Sequence, residues 1–453
     1  MSNPDNVQYS TNPVEGVAAE SDLRIFRSEN ETYAPTGNRT IIIPLNCSDK
    51  SFIDFSDSVL SFRIMNRSQS ASTATLANAY CRASDFIQDL TIVGPQGNEI
   101  EIIRNYNVLM GVLDDYSYGA NHAASVEHIL SGGSDDGTVG GKVLIKAGTG
   151  TTAGAAQDGE SYTFCEKLVC GTLSNRYLVP LGWTIGQATR IVIRLADAGN
   201  ALWATGAANG DAFYKIDNVE FRAKQIVFNS LFNAQFEANL AEAGESGMSY
   251  IGETFLHAQN NLASGSSGLN NLQFSLNPRS AKYILTSHRL ESKVALITAK
   301  SLNDRSSINI DQYSYDIMGK QIPMAPIDLA NASGTSGSIN VSQGFAQVLD
   351  ALGLIGAVNR DTLCSLATAE TLFYSPTQTA ASKYVSAIVL EDFDSSNNPS
   401  IFSGLNLSSA GSMSYRPRQA SGTTAAAAYR IDHFMSCDMQ IRFTLDGRLY
   451  SIK

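Results

Sequence analysis

Positive charge is scarce in this sequence and nowhere concentrated. The first 22 residues hold no Lys or Arg, the first basic residue being Arg24, while the same stretch carries Asp5, Glu15, Glu20 and Asp22. Over 453 residues, 32 basic side chains face 43 acidic ones, for a formal net charge of −11. A protein that neutralises phosphates needs clustered Lys and Arg, so neither direct nucleic-acid binding nor a basic condensing arm is expected. Long apolar runs are missing as well: no stretch approaches the roughly 18–20 apolar residues of a membrane-spanning helix. The opening MSNPDNVQYSTNPVEG has neither a charged n-region nor an apolar h-region, so no secretory signal is expected there. On that expectation sequons such as Asn38-Arg39-Thr40 are by-products of a composition rich in Ser, Thr and Asn.

Reactive chemistry is equally thin. The six cysteines (Cys47, Cys81, Cys165, Cys170, Cys364, Cys437) follow no disulfide framework and read as reduced, mostly buried thiols. Cys165 and Cys170 are the nearest pair; on one strand their odd separation would point them to opposite faces, against a shared metal. The stretch Gly137 to Lys142 is the nearest approach to a phosphate loop. Asp136 stands where the first Gly is needed and Val143 where a Ser or Thr is needed, so the motif fails. HExxH, GxSxG and CxxC do not occur. The histidines (His122, His128, His257, His288, His433) are dispersed and read as surface or locally satisfied groups. Asp392, Asp394, Ser396 and Asn398 alternate as at the start of an EF-hand loop. Asn397 replaces its Gly and Ser403 its final Glu, so a solvated turn is the better account, with a different kind of calcium site between subunits left open. With only Trp183 and Trp203, a sugar-stacking groove would be poorly supplied. No catalytic, cofactor-binding or metal-binding residue is therefore assigned, no cofactor is expected, and the protein is not expected to be an enzyme.

What the sequence does contain is two-residue alternation. Ile41, Ile43 and Leu45 fall at alternate positions, as do Leu60, Phe62 and Ile64, and Ile191, Ile193 and Leu195. The pattern returns at Phe274 and Leu276, Ile308 and Ile310, Tyr313, Tyr315 and Ile317, and Met439, Ile441 and Phe443. Such alternation marks strands with one face on a core. Gly/Ser/Thr/Ala-rich tracts at 131–160, 196–211, 263–271, 331–343 and 419–428 read as loops. Three segments show helical spacing: Tyr106, Leu109, Met110 and Leu113; Phe232, Phe236 and Leu240, with Gly244 as a stop; and Phe345, Val348, Leu349, Leu352 and Ile355, with Ser342 as N-cap. Strand aromatics such as Tyr313 and Tyr315 read as sheet-face packing. A chain with 43% hydrophobic and only 17% charged residues buries large cores, and at this length two of them are expected. The halves share a rhythm of early strands, a helix, a polar insertion and closing strands. This predicts two β-sandwiches joined near the midpoint.

Several runs resemble a known family. In IIIPLNCSDKSFIDFSDSVLSFRI (41–64), Phe52-Ile53-Asp54-Phe55-Ser56 follows a strand carrying an Ile-Pro. In residues 83–116 a hairpin turning at Gly94 to Asn98 leads into Asn-Tyr and a short helix. IFSGLNLSSAGSMSYRPR (401–418) and the closing MQIRFTLDGRLYSIK complete the set. These runs are similar to the double jelly-roll major capsid proteins of tailless icosahedral DNA viruses, in particular the virophage and Polinton-like branch. Residues 320–380 find no counterpart in the family.

The resemblance implies an all-β chain of two tandem eight-stranded jelly-roll sandwiches with long loop insertions and a few short helices. The corresponding division is an N-terminal arm (1–22), a first jelly roll (23–228), a helical linker (229–248) and a second jelly roll (249–453). It further implies homotrimeric, pseudo-hexameric capsomers building an icosahedral virion shell, assembled in the host cell. The implied partners are other copies, neighbouring capsomers, penton or minor capsid proteins, and an internal membrane. The acidic arm is expected to act as a tether at the capsomer base rather than to bind the genome. Two other classes share the strand rhythm: a β-sandwich adhesin or receptor-binding protein, and a β-rich glycosidase with two carboxylates across a cleft.

Overall fold

The computed structural model describes residues 19–68, 77–78, 82–117, 159, 161–174, 177–203, 212–244, 247–299, 302, 304–329, 341–354, 373–375, 378–379, 382–391 and 402–453. The first half contains β1 (Ala19–Arg27), β2 (Thr32–Tyr33), β3 (Thr40–Leu45), β4 (Ser51–Asn66), β5 (Ala77–Asn78), β6 (Ile87–Val93), β7 (Glu99–Arg104), β8 (Ser161–Glu166), β9 (Thr189–Leu195), β10 (Leu202–Trp203) and β11 (Tyr214–Phe228). The second half contains β12 (Met248–Leu262), β13 (Leu272–Phe274), β14 (Ala281–Leu290), β15 (Ile310–Ile317), β16 (Lys320–Asp328), β17 (Val385–Val389), β18 (Met413–Gln419), β19 (Tyr429–Phe443) and β20 (Leu449–Ile452).

The two halves repeat one topology. Sheets β1-β11-β4-β8 and β3-β9-β6-β7 form the first sandwich, and β12-β19-β14-β17 and β13-β18-β15-β16 the second. Counting the eight main strands of each half in chain order, both halves pair them 1-8-3-6 and 2-7-4-5, antiparallel throughout. This is the order of a jelly roll, so each half is one. β2 and β20 add to the sheet margins, and β5 and β10 pair separately.

Alternation places the cores. In β3, Ile41, Ile43 and Leu45 are buried while Ile42 and Pro44 lie half-exposed. Pro44 has no N–H to give a second neighbour, and β3 is an edge strand; Pro323 and Pro326 likewise fall on the edge strand β16. Phe62, Phe86, Phe164 and Tyr214 fill the first sandwich, with Phe86 5.7 Å from Phe164 and 5.2 Å from Tyr214. Tyr313, Tyr315 and Tyr415 fill the second, with the Tyr315 and Tyr415 rings 5.0 Å apart, so these tyrosines pack the sheet face as their alternation indicates.

The three helical segments form at Tyr106–Ser117, Ser230–Ala243 and Ser342–Ala351. The linker helix (230–243) is capped by Asn229, whose side chain accepts the Phe232 N–H at 2.9 Å, and Gly244 stops it at φ +56°. Its exposed outer face leaves Phe236 to reach Phe52 and Trp183, each at 5.0 Å, and Phe443 at 6.4 Å, clamping the ends of both sandwiches.

Some local expectations shift. β1 opens at Ala19, inside the segment read as an arm, and β12 opens at Met248, the last residue read as linker. Ser342 is the first helical residue rather than the cap, which falls on Val341. Ile308 does not alternate with Ile310 on a strand: Ile308 and Asn309 are left-handed (φ 55° and 54°) and form a buried turn ahead of β15. Leu276 lies beyond β13. Within the tract 196–211 the chain makes one helical turn, Ala198–Ala201, before β10.

The barrel–barrel contact as candidate assembly site

β7 leads straight into the helix 106–117 through Asn105, whose φ of +50° suits an Asn better than most side chains. The helix is buried on nearly every side because it sits between the two sandwiches. Its adjacent acids point in different directions. Asp114 pairs with Arg82 of its own half, whereas Asp115 pairs with Arg305 of the other half and lies 3.5 Å from Lys383 Nζ. Arg305 also donates to the Lys383 carbonyl at 3.0 Å, which accepts the Tyr116 hydroxyl at 2.7 Å as well. Tyr116 packs edge-on to Phe373 at 6.4 Å.

At the other end of the helix, Asn105 Nδ2 donates to Asp432 Oδ1 at 3.2 Å. The same oxygen lies 2.9 Å from His257 Nε2, and Asp432 Oδ2 accepts from Arg289 Nη2 at 2.8 Å. Burial alone would raise the Asp432 carboxyl, but Arg289 and His257 hold it well below the usual carboxylate range. Further along the contact, Asn98 Nδ2 donates to the Leu449 carbonyl at 2.9 Å and Gln96 Nε2 to the Gly447 carbonyl at 3.2 Å. Glu101, turned off β7, accepts both the Gly171 and Thr172 N–H groups at 2.8 and 2.9 Å. That holds the Gly171 backbone against Gly252 of β12, so close that a Cβ on Gly252 would lie 2.4 Å from the Gly171 carbonyl oxygen.

A second polar cluster lies inside the second sandwich. Thr286 Oγ1 bridges Tyr315 OH at 2.7 Å and His433 Nδ1 at 2.9 Å, and His433 Nε2 meets Asn260 Oδ1 at 3.1 Å. Ser386 joins the Tyr384 and Tyr415 hydroxyls, each at 2.7 Å. His288 stacks near Tyr384 and Tyr415, ring centroids 5.5 and 5.6 Å away. Burial pushes both His288 and His433 down to about 3, so both are neutral at pH 7.

No family model and no curated protein sequence matches the chain. Solved structures do. The Faustovirus major capsid protein superposes with a TM-score of 0.60 at 8% identity, over 96% of this chain and 92% of that one. The chain in a quasi-atomic reconstruction of the PBCV-1 virus capsid gives 0.56 at 10% identity, over 97% and 98%. The mavirus major capsid protein gives 0.51 at 11% identity, over 100% and 95%. Both jelly rolls are spanned in each case.

The chain has the double jelly-roll capsid fold.

On the double jelly roll, the runs that carry the family resemblance fall on matching elements. Residues 41–64 are β3 and β4, 83–116 are the β6–β7 hairpin and the helix after it, and the closing run is β19 and β20. The hairpin turns as expected, Gly94 N donating to Asn98 O at 2.7 Å with Gly97 at φ +80°. Cys47, Cys165, Cys170 and Cys437 are free thiols, and burial pushes Cys47 and Cys437 up to about 12. Cys170 sits in the turn beyond β8, so strand alternation does not relate it to Cys165. Trp183 is packed between Phe52 and Phe236 beneath Lys50. His257, His288 and His433, dispersed in sequence, converge on the second jelly roll. Only the pairing of β12, β14 and β19 reveals this, since no spacing rule links residues so far apart. Among the described residues, no group of three or more His, Cys, Asp or Glu could hold a metal ion. Cys81, Cys364, His122, His128, Gly137 to Lys142, and Asp392, Asp394, Ser396 and Asn398 lie outside the described residues.

Proposed function

We propose that this protein is a major capsid protein that assembles as homotrimeric, pseudo-hexameric blocks into an icosahedral virion shell. One observation carries the reading. Two jelly rolls of identical strand order are locked side by side into a single building block by buried ion pairs and hydrogen bonds across their contact. Such a unit presents two similar barrels, so three copies in a ring offer six similar sides, and closed symmetry then specifies the shell. The structures it superposes on are described as viral capsid proteins, and their match spans both barrels.

On this reading the protein works by association and carries no catalytic site. Its partners are other copies of itself, penton or minor capsid proteins and an internal membrane. Its place is the virion, after assembly in the host cell. The units of the reading are an arm (1–22), jelly rolls at 23–228 and 249–453, and a linker at 229–248. The acidic arm serves as a tether at the capsomer base. Light scattering on the purified protein, with negative-stain microscopy, tests the assembly: a trimer or closed shells are expected. A species that stays at 48.5 kDa at micromolar concentration would refute it.

A further inference from the structure

The contact between the two jelly rolls of one chain uses one particular pair of strands. β7, the fifth main strand of the first jelly roll, lies along β12, the first main strand of the second, with β20 beside it. The two make no backbone ladder among the described residues; they meet edge to edge through side chains and turns, as where Asn105 Nδ2 lies 3.2 Å from His257 Nε2. Both strands are correspondingly covered: Ile100, Glu101 and Ile103 of β7 are buried, as are Thr254 and Phe255 of β12, with Tyr250 to Glu253 half-buried.

The repeat of topology supplies the same two positions once more, at the outer ends of the chain. The fifth main strand of the second jelly roll is β16, and the first main strand of the first is β1. Neither is covered. Residues 19–25 of β1 are all exposed, with Leu23 at 69% and Ile25 at 48% on one face. In β16, Met324 is 96% exposed and is followed by exposed Ala325 and Pro326. Apolar side chains at such exposure on a sheet edge are a liability unless something covers them.

We propose that β16 of one copy docks against β1 of the next, repeating between chains the β7–β12 contact made within each chain. The occupant of each bare edge is thus a second copy of this chain, in a head-to-tail contact between unlike surfaces. Such a contact closes into a ring when its rotation permits. Leu23, Ile25 and Met324 lie at the centre of the contact. The inference rests on the ring assembly proposed above, to which it adds the surfaces.

Two experiments test it. Leu23→Asp and Met324→Asp each place a charge in the contact without touching either core, so the far-ultraviolet circular dichroism spectrum should match the parent. The expected result is loss of the trimer to a 48.5 kDa species. Second, the doubly substituted chain Ile25→Cys/Met324→Cys should give covalently closed trimers on oxidation. A mixture of the two single variants should stop at linked pairs. If the parent is trimeric but both aspartate variants remain trimeric and the double-cysteine chain does not cross-link, these edges are not the interface, while the assembly reading stands. Cross-linking of Ile25→Cys copies with one another would equally overturn the proposal, since it requires like surfaces to meet. A monomeric parent would overturn the assembly reading and this one with it.

Discussion

Arg305 of the second jelly roll and Asp115 of the first form an ion pair with both side chains fully buried. The pair spans the contact that makes one body of two barrels, and Lys383 lies on the other carboxylate oxygen. Breaking a buried pair by removing one partner costs up to about 3–5 kcal/mol, less here to the extent that Lys383 stays beside Asp115. Arg305→Met should therefore lower the denaturant midpoint sharply, and Asp115→Asn somewhat less because the amide still accepts hydrogen bonds. The double variant Arg305→Met/Asp115→Leu should recover part of the loss. Equilibrium urea unfolding of the four proteins measures this; a double variant no better than Arg305→Met would mean that the pair is not coupled.

Acid should weaken the second jelly roll before its carboxylates titrate. His288 and His433 have folded pKa values depressed to about 3, from an ordinary 6.5, by burial. As the pH falls below 6.5 the unfolded chain takes up these protons and the folded one does not. Stability then declines by up to about 1.4 kcal/mol per pH unit for each histidine until the folded pKa is reached. Asp432, held low, adds a loss only below the ordinary carboxylate range. His288→Phe keeps the ring stack on Tyr384 and Tyr415 and should flatten the pH dependence between 6 and 4 in melting experiments. An unchanged slope would show that His288 does not titrate as described.

Close backbone approach at Gly252 gives a third test. Gly252→Ala puts a methyl 2.4 Å from the Gly171 carbonyl oxygen and should force the barrels apart, at a cost of about 1–3 kcal/mol. Gly411→Ala, with open space around it, should be neutral within about 0.5 kcal/mol. Thermal denaturation of both variants is the measurement, and equal effects would contradict the packing argument.

The charge balance predicts indifference to DNA. With a net charge of −11 and an acidic start, the protein should show no DNA binding at physiological salt. Fluorescence anisotropy with labelled duplex checks this. A linear log–log salt dependence worth several phosphates would bring back a genome-binding role. Deleting residues 1–18, which precede β1, should leave capsomers intact and impair only shell assembly.

Much of the architecture was legible because β-structure writes itself locally. Ile41, Ile43 and Leu45 bury alternate side chains whichever strand lies beside them, and Asn229, Phe232, Phe236 and Gly244 carry cap, apolar face and stop for the linker helix within one segment. The turn before β15 was not legible, because Ile308 is as apolar as a strand residue and its left-handed backbone depends on the walls around it. The polar clusters were invisible for a related reason. His257, Asp432 and Arg289 come from three strands that neighbour one another only through the 1-8-3 pairing of the second jelly roll.

The amino-acid sequence by itself determined that the chain would make two β-rich halves with a helix between them and an excess of acidic over basic side chains. Periodicity and net charge are properties of the chain that survive any choice of neighbours. Only the tertiary structure decided which strands meet and which charges face which. Asp114 and Asp115 are consecutive acids, indistinguishable in one dimension. Successive residues on an α-helix point about 100° apart, so one turns back to Arg82 within its own barrel and the other crosses to Arg305 in the next.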